Sequence, residues 1–154
     1  SHYLHYYQEE LAAVADEFIA STIDGSNGVK GHAIDVLLRR LKAGNKIDRV
    51  ITVGCPFMMM VAAMETKDMN IPVLAALNPI MLDGTGMCGA CRVTVAGETK
   101  FACVDGPFFD AHLIDWSELK DRREAYSDAE IGSLLTTEPV VHSHHGQGCG
   151  CGKH

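Results

Sequence analysis

The chain has 154 residues, 47% of them hydrophobic and 21% charged, which is typical of a globular domain or of one domain with an appendage. Its net charge of −7 at pH 7 argues against nucleic-acid binding, because no basic stripe is available to neutralise phosphates. The longest apolar run, Phe57 to Met64, is far shorter than the ~20 residues that a membrane helix needs, so we expect no membrane span.

Residues 1–80 alternate between predicted helices and strands. The sequence predicts helices over 9–16, 33–42 and 57–67, and strands over 17–22, 49–53 and 72–77. The helix over 33–42 is amphipathic, and Gly44 suits the left-handed position that ends a helix. Near-continuous apolar strands between helices are typical of a parallel sheet that is covered on both faces. We therefore expect an α/β fold for this part of the chain.

The turn Gly54-Cys55-Pro56 lies between a predicted buried strand and a helix. In open α/β sheets, ligands bind at the carboxyl ends of the strands, so this turn is a candidate for approaching a nicotinamide. A glycine–proline turn is also common architecture between a strand and a helix. Both interpretations stay open on local grounds.

A second motif has the spacing Asp83-x4-Cys88-x2-Cys91-x11-Cys103. Plant-type ferredoxins hold a [2Fe–2S] cluster with a C-x4-C-x2-C loop and one distant cysteine, and here an aspartate replaces the first cysteine. Three glycines are interleaved with these positions and let a short loop bend sharply. A carboxylate oxygen can bind ferric iron, although it is a harder ligand than a thiolate. The motif predicts that these four residues ligate a [2Fe–2S] cluster.

A predicted β-hairpin, with strands over 92–95 and 99–102, would return Cys103 to the loop. The rival hypotheses are a zinc site, which would make this a zinc-stabilised interaction domain without a redox role, and three unrelated core cysteines. Structural zinc sites more often pair two short knuckles, whereas this segment has one C-x2-C pair. The six cysteines fit metal ligation in a reducing compartment better than a disulfide framework, and no signal peptide opens the chain, so we expect a cytoplasmic protein.

The predicted organisation has four parts. A partial NAD(P)-binding α/β domain covers 1–80, the cluster module 81–110, a helical segment 111–141, and a low-complexity tail 142–154. The tail contains three histidines and two cysteines: His142, His144, His145, Cys149 and Cys151. We expect it to be disordered, although such donors also take up zinc or nickel.

The chain resembles a known family in three runs: LNPIMLDGTGMCGACRVTVAGETKFACVDGPFFDAH, TIDGSNGVKG and DRVITVGCPFMM. The family is the small subunit, with FAD and a [2Fe–2S] cluster, of NADH-dependent ferredoxin:NADP oxidoreductase, also known as a sulfide dehydrogenase subunit. The resemblance is to its C-terminal half and covers about residues 4 to 137. The chain is more distantly similar to the electron-transfer subunit of dihydroorotate dehydrogenase B, in which a cysteine stands in place of Asp83.

The resemblance implies part of a ferredoxin–NADP reductase-like domain, of sheet order 3-2-1-4-5, followed by the cluster module. In that family FAD binds mainly to an N-terminal β-barrel and NAD(H) to the α/β domain. The cluster passes electrons to a large flavin and [4Fe–4S] subunit, and indirectly to ferredoxin or a similar carrier. Asp83, Cys88, Cys91 and Cys103 match the ligand positions, and Gly54-Cys55-Pro56 matches the turn near the nicotinamide.

The barrel and the first two strands have no counterpart in this sequence, so we expect it to carry only strands 3, 4 and 5 of that sheet. We therefore expect the chain alone to be inactive in NADH oxidation. We also expect it to self-associate through unpaired strand edges.

Overall fold

A computed structural model describes residues 6–125 and 127–136 of the chain. Their elements in chain order are α1 (Gln8–Val14), β1 (Ser21–Thr22), β2 (Val29–Lys30), α2 (Ala33–Lys42), β3 (Val50–Val53), α3 (Pro56–Thr66), β4 (Val73–Ala76), β5 (Arg92–Val95), β6 (Glu98–Phe101), β7 (Phe108–Asp110), α4 (Trp116–Glu124) and α5 (Ser127–Thr136). The chain divides into two compact units at Lys120, and the predicted tail lies outside the described residues. The fold is mixed α/β with small sheets.

The central sheet has the strand order β3-β4-β7. Strands β3 and β4 run parallel in a register that pairs Val50 with Val73 and Val53 with Ala76, which confirms the predicted parallel pair. Strand β7 was not predicted, and it adds to β4 in the antiparallel direction. A segment of the predicted cluster module thus completes the sheet that the preceding residues begin.

The core lies between this sheet, helix α3 and the β5–β6 hairpin. Its most deeply buried side chains come from all three: Met59, Val73, Ala75, Cys91, Val93 and Ala111. Helix α3 buries Met59, Ala62, Ala63 and Thr66, and the Thr66 hydroxyl donates to the Ala62 carbonyl at 2.7 Å, so this buried polar group is satisfied. Cys91 therefore has a fixed position within the packed core.

The predicted strand over 17–22 is wrong over most of its length, because only Ser21–Thr22 pairs, and it pairs with β2. The loop between β1 and β2 folds back on the strand. The Thr22 hydroxyl exchanges hydrogen bonds with the backbone of Asn27, and Val29 N–H donates to the Ala20 carbonyl at 2.8 Å. A side chain at Gly28 would place its Cβ 2.2 Å from that carbonyl oxygen, so glycine permits this close approach.

The prediction that the sheet is covered on both faces is wrong at β3. Ile51 and Val53 of β3 are 61% and 66% exposed, whereas Thr52 on the opposite face is buried. Their apolar character suits a strand with neighbours on both sides, but within the described residues β3 pairs only with β4. One edge and one face of β3 are therefore open.

The predicted helical segment begins later than residue 111, because Ile114 still bridges to Val95 and α4 begins at Trp116. The Asp115 carboxylate accepts the Glu118 N–H at 2.9 Å, as an N-cap residue does. Among the described residues, no helix combines the length and the apolar character needed to cross a membrane.

Candidate metal centre

The loop from Asp83 to Cys91 joins β4 to the hairpin and begins with a fixed carboxylate. One Asp83 oxygen accepts the Thr85 N–H at 2.9 Å, and the other accepts the Cys88 N–H at 2.8 Å. These hydrogen bonds hold the pKa of Asp83 below its ordinary value, and the bond from Thr85 has the larger effect. The loop therefore begins with an ionised carboxylate, of which one oxygen holds the backbone of Thr85 and the other holds the backbone of Cys88, the predicted second ligand.

The hairpin brings the two distant cysteines together. Strands β5 and β6 pair Arg92 with Phe101, and Ala102 N–H donates to the Cys91 carbonyl at 3.1 Å, which extends the ladder by one step. The chain then turns, with Asp105 N–H donating to the Phe101 carbonyl at 2.7 Å. As a result, the sulfurs of Cys91 and Cys103 lie 3.2 Å apart.

Neighbouring backbone amides shift the pKa values of these two thiols. The Cys103 N–H is the main group that lowers the pKa of Cys91, while the neighbouring Cys91 thiol is the main group that raises the pKa of Cys103. The Gly86 N–H lowers the pKa of Cys103 and so favours its thiolate. Amide donors aimed at sulfur stabilise anionic thiolates, which is the form in which cysteine binds metals.

The loop conformation fits a metal-binding role at Gly86. Its φ is +83°, and a Cβ there would lie 3.1 Å from Val104 Cγ2, so the glycine lets the loop pack against the turn that carries Cys103. Donor type and loop packing therefore fit a thiolate-bound cluster.

Convergence of the four predicted ligands is incomplete. Cys91 and Cys103 are in contact, Asp83 holds the backbone of Cys88, and the Cys88 side chain is exposed. In the part of the chain that the structure describes, no group of three or more acidic, histidine or cysteine side chains is arranged to hold a metal ion. The four-residue ligand set thus stays a prediction, of which the structure brings together one pair.

Sequence reasoning missed Asp105, which closes the turn after β6. Its carboxylate accepts the Phe101 N–H at 2.7 Å and so helps to return Cys103 to Cys91. The signal was present, since Asp105-Gly106-Pro107 is a turn-forming sequence that begins two residues after the last cysteine of the motif.

The Gly54-Cys55-Pro56 turn lies at the carboxyl end of β3, as predicted. Cys55 is exposed and precedes Pro56, the first residue of α3, and Gly54 has a φ of +151° with the Met58 methyl group close by. A cavity of about 320 Å³ opens beside β3 between α2 and α3, lined by apolar residues that include Ile34, Leu37 and Met58. This arrangement leaves room for a ligand near the turn, and the nicotinamide role of the turn stays a prediction.

Residues 78–115 match the family model of the iron–sulfur cluster binding domain of dihydroorotate dehydrogenase B. This match contains all four predicted ligands. The chain is also similar to electron-transfer subunits of that enzyme. It is 43% identical to an electron-transfer subunit homologue of dihydroorotate dehydrogenase B (NAD(+)) from Thermotoga maritima, over 79% of this chain and 43% of the relative. The corresponding subunit of Bacillus caldolyticus is 35% identical, over 69% of this chain and 40% of the relative.

Two further relatives extend the comparison. A Clostridium beijerinckii protein named only by its position in an adh 3′ region is 47% identical over 94% of this chain and 49% of that protein. A solved structure of an NADH-dependent reduced ferredoxin–NADP oxidoreductase, described in connection with flavin-based electron bifurcation, is 41% identical with a TM-score of 0.70. That alignment covers 82% of this chain and 45% of the solved chain.

These matches confirm the recognition made from the sequence motifs. The chain spans less than half the length of each of these relatives, between 40% and 49%.

Proposed function

We propose that this chain is the cluster-bearing part of an electron-transfer subunit in a cytoplasmic oxidoreductase. Its [2Fe–2S] cluster is held by Asp83, Cys88, Cys91 and Cys103. The observation that carries the proposal is the Cys91–Cys103 contact at 3.2 Å, within the segment that matches an iron–sulfur cluster binding domain. The cluster would supply one-electron transfer, and the chain supplies ligands, backbone donors and a path to a partner.

The remaining cofactors of the proposed function are FAD and NAD(P)H. The names of the relatives refer to NAD(+), NADH and NADP, and to flavin-based electron bifurcation. In our proposal the Gly54-Cys55-Pro56 turn contributes to nicotinamide binding in a longer protein, and electrons pass between NAD(P)H, FAD and the cluster. The 154-residue chain alone should show no robust NADH–dye activity, because it spans less than half the length of its relatives.

A partner subunit would dock on an apolar surface beside the predicted ligands. Five exposed apolar side chains flank the ligands in sequence, and we call them the loop surface: Ile80, Met81, Leu82, Met87 and Val104. Leu82 is 76% and Met87 89% exposed, each next to a predicted ligand. Exposed apolar side chains are available for a partner to bury, and a partner bound beside the ligands would receive electrons over a short distance.

The first experiment tests the ligand set by metal analysis and paramagnetic resonance. The anaerobically reconstituted chain should contain about two iron and two acid-labile sulfide per chain and give a reduced paramagnetic signal. Cys91→Ser and Cys103→Ser should lose iron, whereas Cys55→Ser, at an exposed cysteine outside the motif, should retain it.

A double variant, Cys149→Ser with Cys151→Ser, removes the thiols of the tail and should also keep the iron content. A colourless, zinc-loaded preparation under these conditions would instead support the zinc-stabilised interaction domain.

The second experiment tests the loop surface. Leu82→Glu combined with Met87→Glu should weaken sedimentation with the large subunit that the resemblance implies, while the paramagnetic signal stays unchanged. Ile23→Glu is the matched control, because Ile23 is 71% exposed and lies outside the motif, in the loop between β1 and β2. Equal binding by the double variant and the control would remove the loop surface from the proposal.

A further inference from the structure

The hairpin places two thiols close enough for a covalent bond. A disulfide has an S–S length of about 2.05 Å, so the sulfurs of Cys91 and Cys103, now 3.2 Å apart, need to approach by only about 1.2 Å. Both cysteines lie directly beyond paired strand ends, since Cys91 precedes β5 and Cys103 follows β6 by two residues. The strand ladder therefore sets their separation, rather than the loop that carries Cys88.

A second pairing within the same motif has to be considered. A C-x2-C spacing is that of a redox-active dithiol and would predict a Cys88–Cys91 bond. In the structure the Cys88 side chain is exposed, its backbone N–H is held by Asp83, and the Cys91 sulfur is buried against Cys103. The geometry thus selects the pair that is distant in sequence.

We propose that Cys91 and Cys103 form a reversible disulfide when the chain carries no cluster, and that this bond blocks cluster assembly until it is reduced. The oxidant is a small-molecule disulfide such as glutathione disulfide. The small disulfide reaches the partly exposed Cys103, which loses its proton to solvent, attacks one sulfur of the small disulfide and releases one thiolate. Cys91 then attacks the Cys103 sulfur and releases the second, so two protein thiols and one small disulfide give one protein disulfide and two small thiols.

The consequence for assembly follows from the predicted ligand set. A disulfide sulfur is not a thiolate, so the bond removes two of the four proposed donors at once. The disulfide itself does not depend on the proposed function, whereas the block on cluster assembly does. The two parts therefore need separate measurements.

Peptide mapping tests the disulfide. The reduced, cluster-free full chain is mixed anaerobically with glutathione disulfide, alkylated and digested with trypsin. Cleavage at Lys67, Arg92, Lys100 and Lys120 separates Cys91 from Cys103. We expect peptide 68–92 linked to peptide 101–120, with Cys88 alkylated.

The controls separate the two pairings. Cys88→Ser should keep the linked peptides, and Cys91→Ser or Cys103→Ser should lose them. A bond between Cys88 and Cys91, or glutathione adducts that persist on Cys91 or Cys103, would overturn the proposal.

Iron incorporation tests the block. The oxidised chain, given ferrous iron and sulfide without a thiol reductant, should show no visible cluster absorption, and dithiothreitol should restore it. Incorporation into the oxidised chain without reductant would overturn the block. If the reduced chain also takes up no iron, the proposed function fails while the peptide map still decides the disulfide.

Discussion

Asp83 fixes the start of the predicted cluster loop through both carboxylate oxygens. Each oxygen already accepts one backbone N–H, from Thr85 and from Cys88, and each has a second lone pair available. An aspartate can therefore shape the loop and offer an oxygen to iron at the same time. A cysteine at this position would offer a thiolate without these two hydrogen bonds to the backbone.

Replacement of Asp83 tests its role as a ligand. Asp83→Asn keeps an acceptor oxygen for one N–H but removes the negative charge, and Asp83→Cys restores an all-thiolate set. Because an oxygen-ligated iron differs electronically from a thiolate-ligated one, both variants should change the paramagnetic signal of the reduced cluster. Asp68→Asn, outside the loop, should leave the signal unchanged. If Asp83→Cys and Asp83→Asn retained the wild-type spectrum, Asp83 would not be a ligand.

Asp24 gives a pH-dependent contribution to stability. The Ser26 N–H donates to its carboxylate at 3.0 Å and lowers the pKa of Asp24 from 3.8 to about 2. Because the folded-state pKa is depressed, this contribution is fully present above pH 3.8 and is lost as the pH falls through about 2.

Thermal unfolding of the cluster-free chain and of Asp24→Asn, followed between pH 2 and pH 6, measures this effect. The wild type should be the more stable above about pH 4, and the difference in Tm should shrink as the pH falls to about 2. A difference that does not vary with pH would contradict the assignment.

The turn of the β5–β6 hairpin has a strained backbone at Ala96. Ala96 and Gly97 connect the two strands with φ values of +54° and +79°, which is the conformation of a type I′ turn. Asparagine is preferred at the first of these positions, whereas the Cβ of alanine clashes with the backbone in the left-handed region and destabilises the turn. The Ala96 N–H donates to the Leu113 carbonyl at 2.7 Å, and any substitution other than proline keeps this bond.

Ala96→Asn should therefore stabilise the chain by roughly 0.5–1 kcal/mol, because the side chain is exposed and the turn becomes more favourable. Ala96→Val is the opposing control and should destabilise it, since a β-branched residue is a poor fit at positive φ. Urea unfolding of the cluster-free chain measures both changes. If both variants shifted the midpoint in the same direction, turn strain would not be the cause.

Elements governed by local pattern were predictable from the sequence. Helix α2 has the predicted bounds, because the signals that define it, an apolar face and the terminating Gly44, lie in one short segment of the sequence. The hairpin strands agree to within one residue, because alternation and a glycine turn are also local signals. The ligand set of the candidate centre was also inferred from local spacing, and it stays a prediction.

Elements governed by distant contacts were not predictable. Strand β7 pairs with β4 across more than 30 residues, and Phe108-Phe109 after a glycine–proline turn gives no local sign of its partner. Strand β1 is short because its own loop packs against it. Spacing also did not indicate that Cys103, rather than Cys88, contacts Cys91.

At the scale of the whole molecule, the open edge of β3 has the features of an association site. Val50 N–H donates to the Pro72 carbonyl, so by the alternation of a parallel ladder the backbone groups of Ile51 and Val53 point away from β4. Their side chains are also largely exposed. The unpaired backbone groups of an exposed apolar edge strand can bond to a further strand, and a second copy of the chain can supply that strand.

Sedimentation velocity measures whether this edge pairs. The wild-type chain should form species larger than the 16.7 kDa monomer, in proportions that rise with concentration. Ile51→Lys and Val53→Lys should shift the distribution to the monomer, because a charged side chain on an edge strand opposes pairing. Ile23→Lys, at an equally exposed apolar position outside this sheet, should associate as the wild type does. A wild-type chain that stays monomeric at every concentration would show that the edge of β3 does not seek a second copy.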